Sequence, residues 1–265
     1  MIRVVRSEFI RIWRPAFRYG GIGVMASFAA LISVFIFTAA DSSGSDVSGP
    51  GGGAFANAAE IAQPGGFLVS LETLSSLAGI VLLSLWAIAA ASDYDTGLVR
   101  VLVQAEPNRI RLLGGKIIAL AGYTFIATIA TVFTAVFVAR PLARLEGIDT
   151  TLWRTDFFEH LVGETFNFMV PAMVWGLIGL LIAVWSKSSG LAIGVGIGYL
   201  LIVENLIAIV AEGAADFLPG GTLAAVAAGG TADLAWTAAL GLTVLYGAAA
   251  AATALLIFRS RDITS

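Results

Sequence analysis

The chain has 265 residues, of which 58% are hydrophobic and only 12% charged, whereas a soluble domain carries about 25% charged residues; this is the composition of an integral membrane protein. The net charge of −3 says nothing about nucleic acid by itself, but no basic domain exists to neutralise phosphates, so no nucleic-acid partner is expected. The lack of cysteine excludes disulfides and thiol chemistry, and a single histidine, His160, excludes a histidine metal cluster within one chain.

Residues 1–18, MIRVVRSEFIRIWRPAFR, predict a basic amphipathic helix. At about 100° per residue, Ile2, Val5, Phe9, Ile12 and Trp13 share one face, and Arg3, Arg11, Arg14 and Arg18 cluster opposite. Such a helix lies among lipid headgroups with its arginines toward phosphate, and Pro15 ends it. The simpler alternative is a positive flank that orients the first span.

Six apolar stretches follow, at 19–40, 68–91, 117–138, 165–185, 191–210 and 234–258, each about long enough for a 30 Å hydrocarbon core. The first is too long for a signal-peptide core. Between the first two spans, 41–67 has Gly and Ser runs and no Lys or Arg, which predicts a loop. Residues 142–164 interleave Trp153, Phe157 and Phe158 with charges and predict a short helix anchored at the membrane interface. Pro171 predicts a kink in the fourth span. In 211–233, a short helix from Thr222 (N-cap) to Ala228, closed by Gly229, is expected.

Orientation follows from basic bias. With the N-terminus inside, 12 of the 15 Lys and Arg residues fall on inner segments, and only Arg140, Arg144 and Arg154 fall outside. The expected fold is all-α: one transmembrane domain of six spans over 1–265, both termini cytoplasmic. Basic residues that are nearly all Arg, with abundant Ala and Gly, point to a GC-rich bacterial genome and so to a bacterial plasma membrane.

The most charged internal segment is Ser92–Lys116, SDYDTGLVRVLVQAEPNRIRLLGGK. Its middle, 97–103, reads as one or two helical turns with Leu98, Val101 and Leu102 on one side. Pro107 ends those turns, and Asn108 can cap the helix that enters the third span. Charged shoulders at Asp93, Asp95 and Arg109 with a small apolar face suit docking to a partner protein. No phosphate-binding loop is present: at Gly114-Gly115-Lys116, Ile110 and Ile117 stand where Gly and Ser/Thr are required.

Within the spans, three features stand out. Gly190, Gly194 and Gly198 form a stripe, with Asn205 two turns further on; small residues at this spacing fit tight packing inside one bundle, or alternatively a subunit interface or moving contact. Glu204 is the one acid deep in a span, at an insertion cost of about 2.5–3.5 kcal/mol. It fits a cavity-lining or cation-sensitive residue, or else a protonated or paired structural glutamate. Thr124, Thr128 and Thr131 line one side of the third span, as hydroxyls bonding back to the preceding turn or as a mildly polar pathway wall.

These elements, in this order, resemble the permease subunits of type-2 ABC exporters. The resemblance rests on Asp93-Tyr94, Thr96-Gly97, Arg100, Pro107, and Arg111 with Lys116 after the second span. The basic entry helix, 179–206 and the FLPGG loop add to it. It implies a transport subunit rather than an enzyme, paired with a second permease copy or paralogue and with two copies of a separate ABC ATPase that binds ATP and Mg. It also implies that 97–103 is a coupling helix pressed into the ATPase, with Asp93, Tyr94, Thr96, Gly97, Leu98, Arg100 and Leu102 as coupling residues. No cofactor is expected in this chain. A secondary, ion-coupled transporter and an intramembrane enzyme are the other classes; Glu204 alone is thin support for the first, and the clustered His, Cys, Asp or Glu needed by the second are missing.

Overall fold

A computed structural model describes residues 2–40, 56–211 and 213–260. The glycine- and serine-rich part of the 41–67 loop and the tail after 260 lie outside the described residues. All regular structure among the described residues is helical. Among the described residues, six helical segments are long and apolar enough to cross a membrane, so the chain is a multi-pass membrane protein.

Helix α1 spans Ile2–Ile12 and stops before Pro15. The first span opens with a π-helical turn at Ala16–Gly21 and continues as α2, Ile22–Ala39. A one-turn helix α3, Ala58–Ile61, sits in the predicted loop and is held by a capping box between Asn57 and Glu60. The second span is α4, Val69–Asp95; α5 spans Leu98–Ala105; the third span is α6, Arg109–Leu145. The fourth is α7, Phe157–Ser186, unbroken through Pro171. The fifth comprises α8, Ser189–Gly198, a π-helical turn at Tyr199–Val203, and α9, Glu204–Val210. Helix α10, Pro219–Ala227, precedes the sixth span, α11, Trp236–Ser260.

The centre of the bundle is the α4–α7 pair. Two tryptophans and two glycines make its contact reciprocal. A Cβ on Gly176 would come within 2.6 Å of the Trp86 ring, and one on Gly79 within 2.5 Å of Trp175. Each glycine thus admits the indole of the opposite helix, the close approach that small residues permit between membrane helices. Helices α2 and α6 pack together on one flank and α11 packs on α7, while α1 runs along α6. The fifth span is the exception: α8 touches α7 and α4, but α9 buries none of its residues.

Several expectations are corrected here. The 92–116 segment is mostly helix, because α4 carries on to Asp95 and α6 begins at Arg109. Charge ends the apolar run without ending the helix; the chain turns where Gly97 adopts φ +69°. Likewise α6 continues through Pro141 to Leu145. Trp153 is buried, not an interface anchor, and donates its indole N–H to the Ile61 carbonyl at 2.8 Å. Helix α10 starts at Pro219, a residue suited to the first helical position. Thr222 is therefore interior, donating to the Asp216 carbonyl at 3.0 Å. Gly229, at φ +74°, does follow its end.

Candidate functional site

Two places carry chemistry. The first lies where α1, α4 and α6 meet. Lys116 Nζ donates to Asp93 Oδ2 at 2.5 Å and to the Ala89 carbonyl at 2.9 Å, and lies 3.3 Å from Glu8 Oε2. Arg11 donates to Glu8 Oε1 at 2.7 Å and also to Asp93. Glu8, Asp93 and Lys116 are all buried. Burial works against the Arg11 charge, and the Asp93 and Glu8 carboxylates more than offset it, so its pKa is raised. Two acids and two bases from three helices therefore close into one neutral network. Arg11 does not face solvent with Arg3 and Arg14, and Asp93 is not an exposed shoulder.

Helix α5 sits beside this network. Thr96 N–H closes α4 onto the Ser92 carbonyl at 3.1 Å, and Gly97 then reverses the chain. Asn108 accepts from Arg111 N at 3.1 Å, capping α6 as its residue type predicts. Val99 is buried and Leu102 half-buried; with Tyr94 and Phe258 they wall a void of about 20 Å³, too small for a ligand. Arg109 reaches the Arg259 carbonyl at 3.2 Å, joining the start of α6 to the end of α11. The outward side of α5 carries Arg100, Val101 and Gln104, with Leu98 at its margin. Of the residues expected to couple, Thr96, Gly97, Leu98 and Arg100 face outward or lie in the turn. Asp93, Tyr94 and Leu102 are turned into the bundle. Val101, 57% exposed, is the apolar residue most available on this helix.

The second place surrounds Glu204. Its Oε1 accepts from the Gly220 N–H at 2.8 Å. Gly220 is in the first turn of α10, where N–H groups lack helical partners and the helix dipole favours a negative group. Glu204 thus caps a helix on another segment. The preceding π-helical turn leaves a local register shift, and Asn205 Nδ2 donates to the Leu201 carbonyl there at 3.0 Å. A cleft of about 270 Å³ is lined by Ser75, Ser76, Trp175, Glu204, Asn205 and Asp216. An apolar groove of about 370 Å³ lies between α7, α8 and α11, and Trp175 borders both.

The glycine stripe does not pack inside the bundle. A Cβ at Gly190, Gly194 or Gly198 would meet nothing within 4 Å. Gly196 is the close-packed glycine of this span, against Leu83. The threonine stripe is wholly buried in this structure. Thr131 donates back to the Ala127 carbonyl at 2.8 Å, and Thr124 accepts from Trp86 Nε1 at 3.0 Å.

Sequence reasoning passed over Glu8 as a site residue. Its signal was present: it is the only acid among residues 1–40, set among five arginines. Gly220 had no such signal, since its contact depends on how α10 folds back. These features define a six-span helical membrane protein with a buried ion network at one end and an acid-bearing cleft in the bundle. No family model matches the chain, and no curated protein matches it.

Proposed function

We propose that this chain is the transmembrane subunit of an ATP-driven ABC exporter in a bacterial plasma membrane, moving substrate by alternating access. The observation that carries the reading is α5: a short amphipathic helix between the second and third spans, seated by Val99 and Leu102 and presenting Arg100, Val101 and Gln104 outward. Its ends are tied to α4 and α6, and both of those helices share the Glu8–Arg11–Asp93–Lys116 network with α1. A push on α5 is therefore delivered to three helices at once. A separate ATPase bearing ATP and Mg supplies that push. Both termini lie on the same cytoplasmic side, in keeping with the basic bias. A second copy or paralogue covers the fifth span, whose glycine stripe and α9 are left open by this chain.

Arg100→Glu reverses an exposed charge, which alters docking orientation and arrival rate more than contact area. Val101→Asp removes apolar contact from the same face. Both variants should remain folded but lose co-purification with the ATPase chain, or retain it while ATP hydrolysis no longer drives transport. If both bind the ATPase and transport at wild-type rates, α5 is a connector and the exporter reading loses its mechanical basis.

A further inference from the structure

We infer that the end of the bundle opposite α1 carries a binding site for one anionic phospholipid, formed by Arg140 and Arg144 above the exposed phenylalanines of α6. The third span works as a ruler. At 1.5 Å per residue, about 36 Å of helix separates Lys116 from Arg140, slightly more than the about 30 Å hydrocarbon core. If Lys116 lies at one membrane boundary, Arg140 lies at headgroup level on the other, and Arg144 is one turn further out. Residues four apart share a helix face, so both arginines project from one side of α6 into the same groove.

Neither arginine has a carboxylate partner among the described residues, where all four ion pairs belong to the network at the other end. Both are exposed. They border a groove of about 730 Å³ between the end of α6 and the start of α7, whose other walls include Val136, Phe137, Leu145 and Phe157. Toward the membrane centre, Phe133 and Phe137 are 69% and 71% exposed, with stacked rings 6.2 Å apart. The surface is thus cationic at headgroup level and aromatic at acyl-chain level. A guanidinium pair matches a phosphodiester through charge-assisted, bidentate bonds. Two fixed cations favour a headgroup with no ammonium of its own, hence an anionic lipid. The site also accounts for the main exception in the charge distribution: of the three basic residues outside the inner segments, two are here.

The test uses the full chain in detergent and native mass spectrometry. Phosphatidylglycerol should remain bound through delipidation and be retained about tenfold more tightly than in Arg140→Gln/Arg144→Gln. Arg154→Gln, an exposed arginine on the same side but outside the groove, should behave as wild type, and Arg140→Lys/Arg144→Lys should fall between. Phosphatidylethanolamine should bind more weakly, and inorganic phosphate should not compete at equal concentration. A photo-crosslinker at Phe137 in native membranes should carry a lipid adduct. Equal retention by the double Gln variant, equal loss in Arg154→Gln, competition by free phosphate, or a crosslinked polypeptide at Phe137 would each overturn the site.

Discussion

Glu8, Arg11, Asp93 and Lys116 form a network whose members need one another. Lys116 contacts both acids, and its side chain is 7% exposed. Removing one partner from a buried ion pair costs about 3–5 kcal/mol, because the remaining charge is left in a poor solvent. Lys116→Met should therefore lower the unfolding midpoint markedly. Asp93→Leu should do the same, since it strands Lys116 against Glu8 while Arg11 loses one of its two acids. The double variant leaves Glu8 paired with Arg11 on α1 alone, a neutral remainder. Its loss should be smaller than the sum of the single losses by about 1–3 kcal/mol. Denaturant or thermal unfolding of the three variants in detergent measures this. Strict additivity would mean that Lys116 and Asp93 do not act on each other and that α4 and α6 are not tied through them.

Helix α10 shows how one side chain can position an element. Leu218 provides no side-chain cap, and Pro219 has no N–H to satisfy, so the Gly220 N–H depends on Glu204. Glu204→Gln keeps an oxygen acceptor but loses the charge facing the helix dipole, a term of about 0.3–1 kcal/mol for accessible groups. Glu204→Leu removes the acceptor altogether. Amide exchange across 220–225 should rise little in the Gln variant and strongly in the Leu variant. Gly220→Ala should resemble Leu, because its Cβ would fall on the carboxylate. Equal protection in all three would show that α10 is held by its packing on α11, α7 and α4 rather than by Glu204. Which elements form was legible in the sequence wherever apolar length decides, and six spans follow from that alone. Where they end was less so: hydropathy marks the hydrocarbon-facing part, while α4 and α6 continue into charged ends that pack on each other and on α1. Asp93 was visible as a conspicuous charge, but its role was not, because its partners lie 82 and 23 positions away. The glycine stripe was visible too. Its exposure was not, since spacing alone is the same for a face turned into the bundle and one turned out.

At the scale of the whole molecule, the asymmetry of charge and the asymmetry of construction coincide. The end bearing α1 and α5 holds the ion network and most of the basic residues, and the opposite end holds Trp153, α10 and the Arg140–Arg144 pair. A membrane protein with this bias inserts with its basic loops inside, so α5 should be cytoplasmic. The chain has no cysteine of its own, which makes single-cysteine labelling unambiguous. Gln104 on α5 and Thr155 before α7 are both exposed, and the whole length of α6 separates the surfaces they report. In intact cells, a membrane-impermeant maleimide should label a cysteine at Thr155 and leave one at Gln104 unmodified until the membrane is permeabilised. The reverse pattern would place α5 outside, beyond reach of any cytoplasmic ATPase, and would end the exporter reading. Labelling of both sites in intact cells would mean that α6 does not cross the membrane, and the six-span arrangement itself would fail.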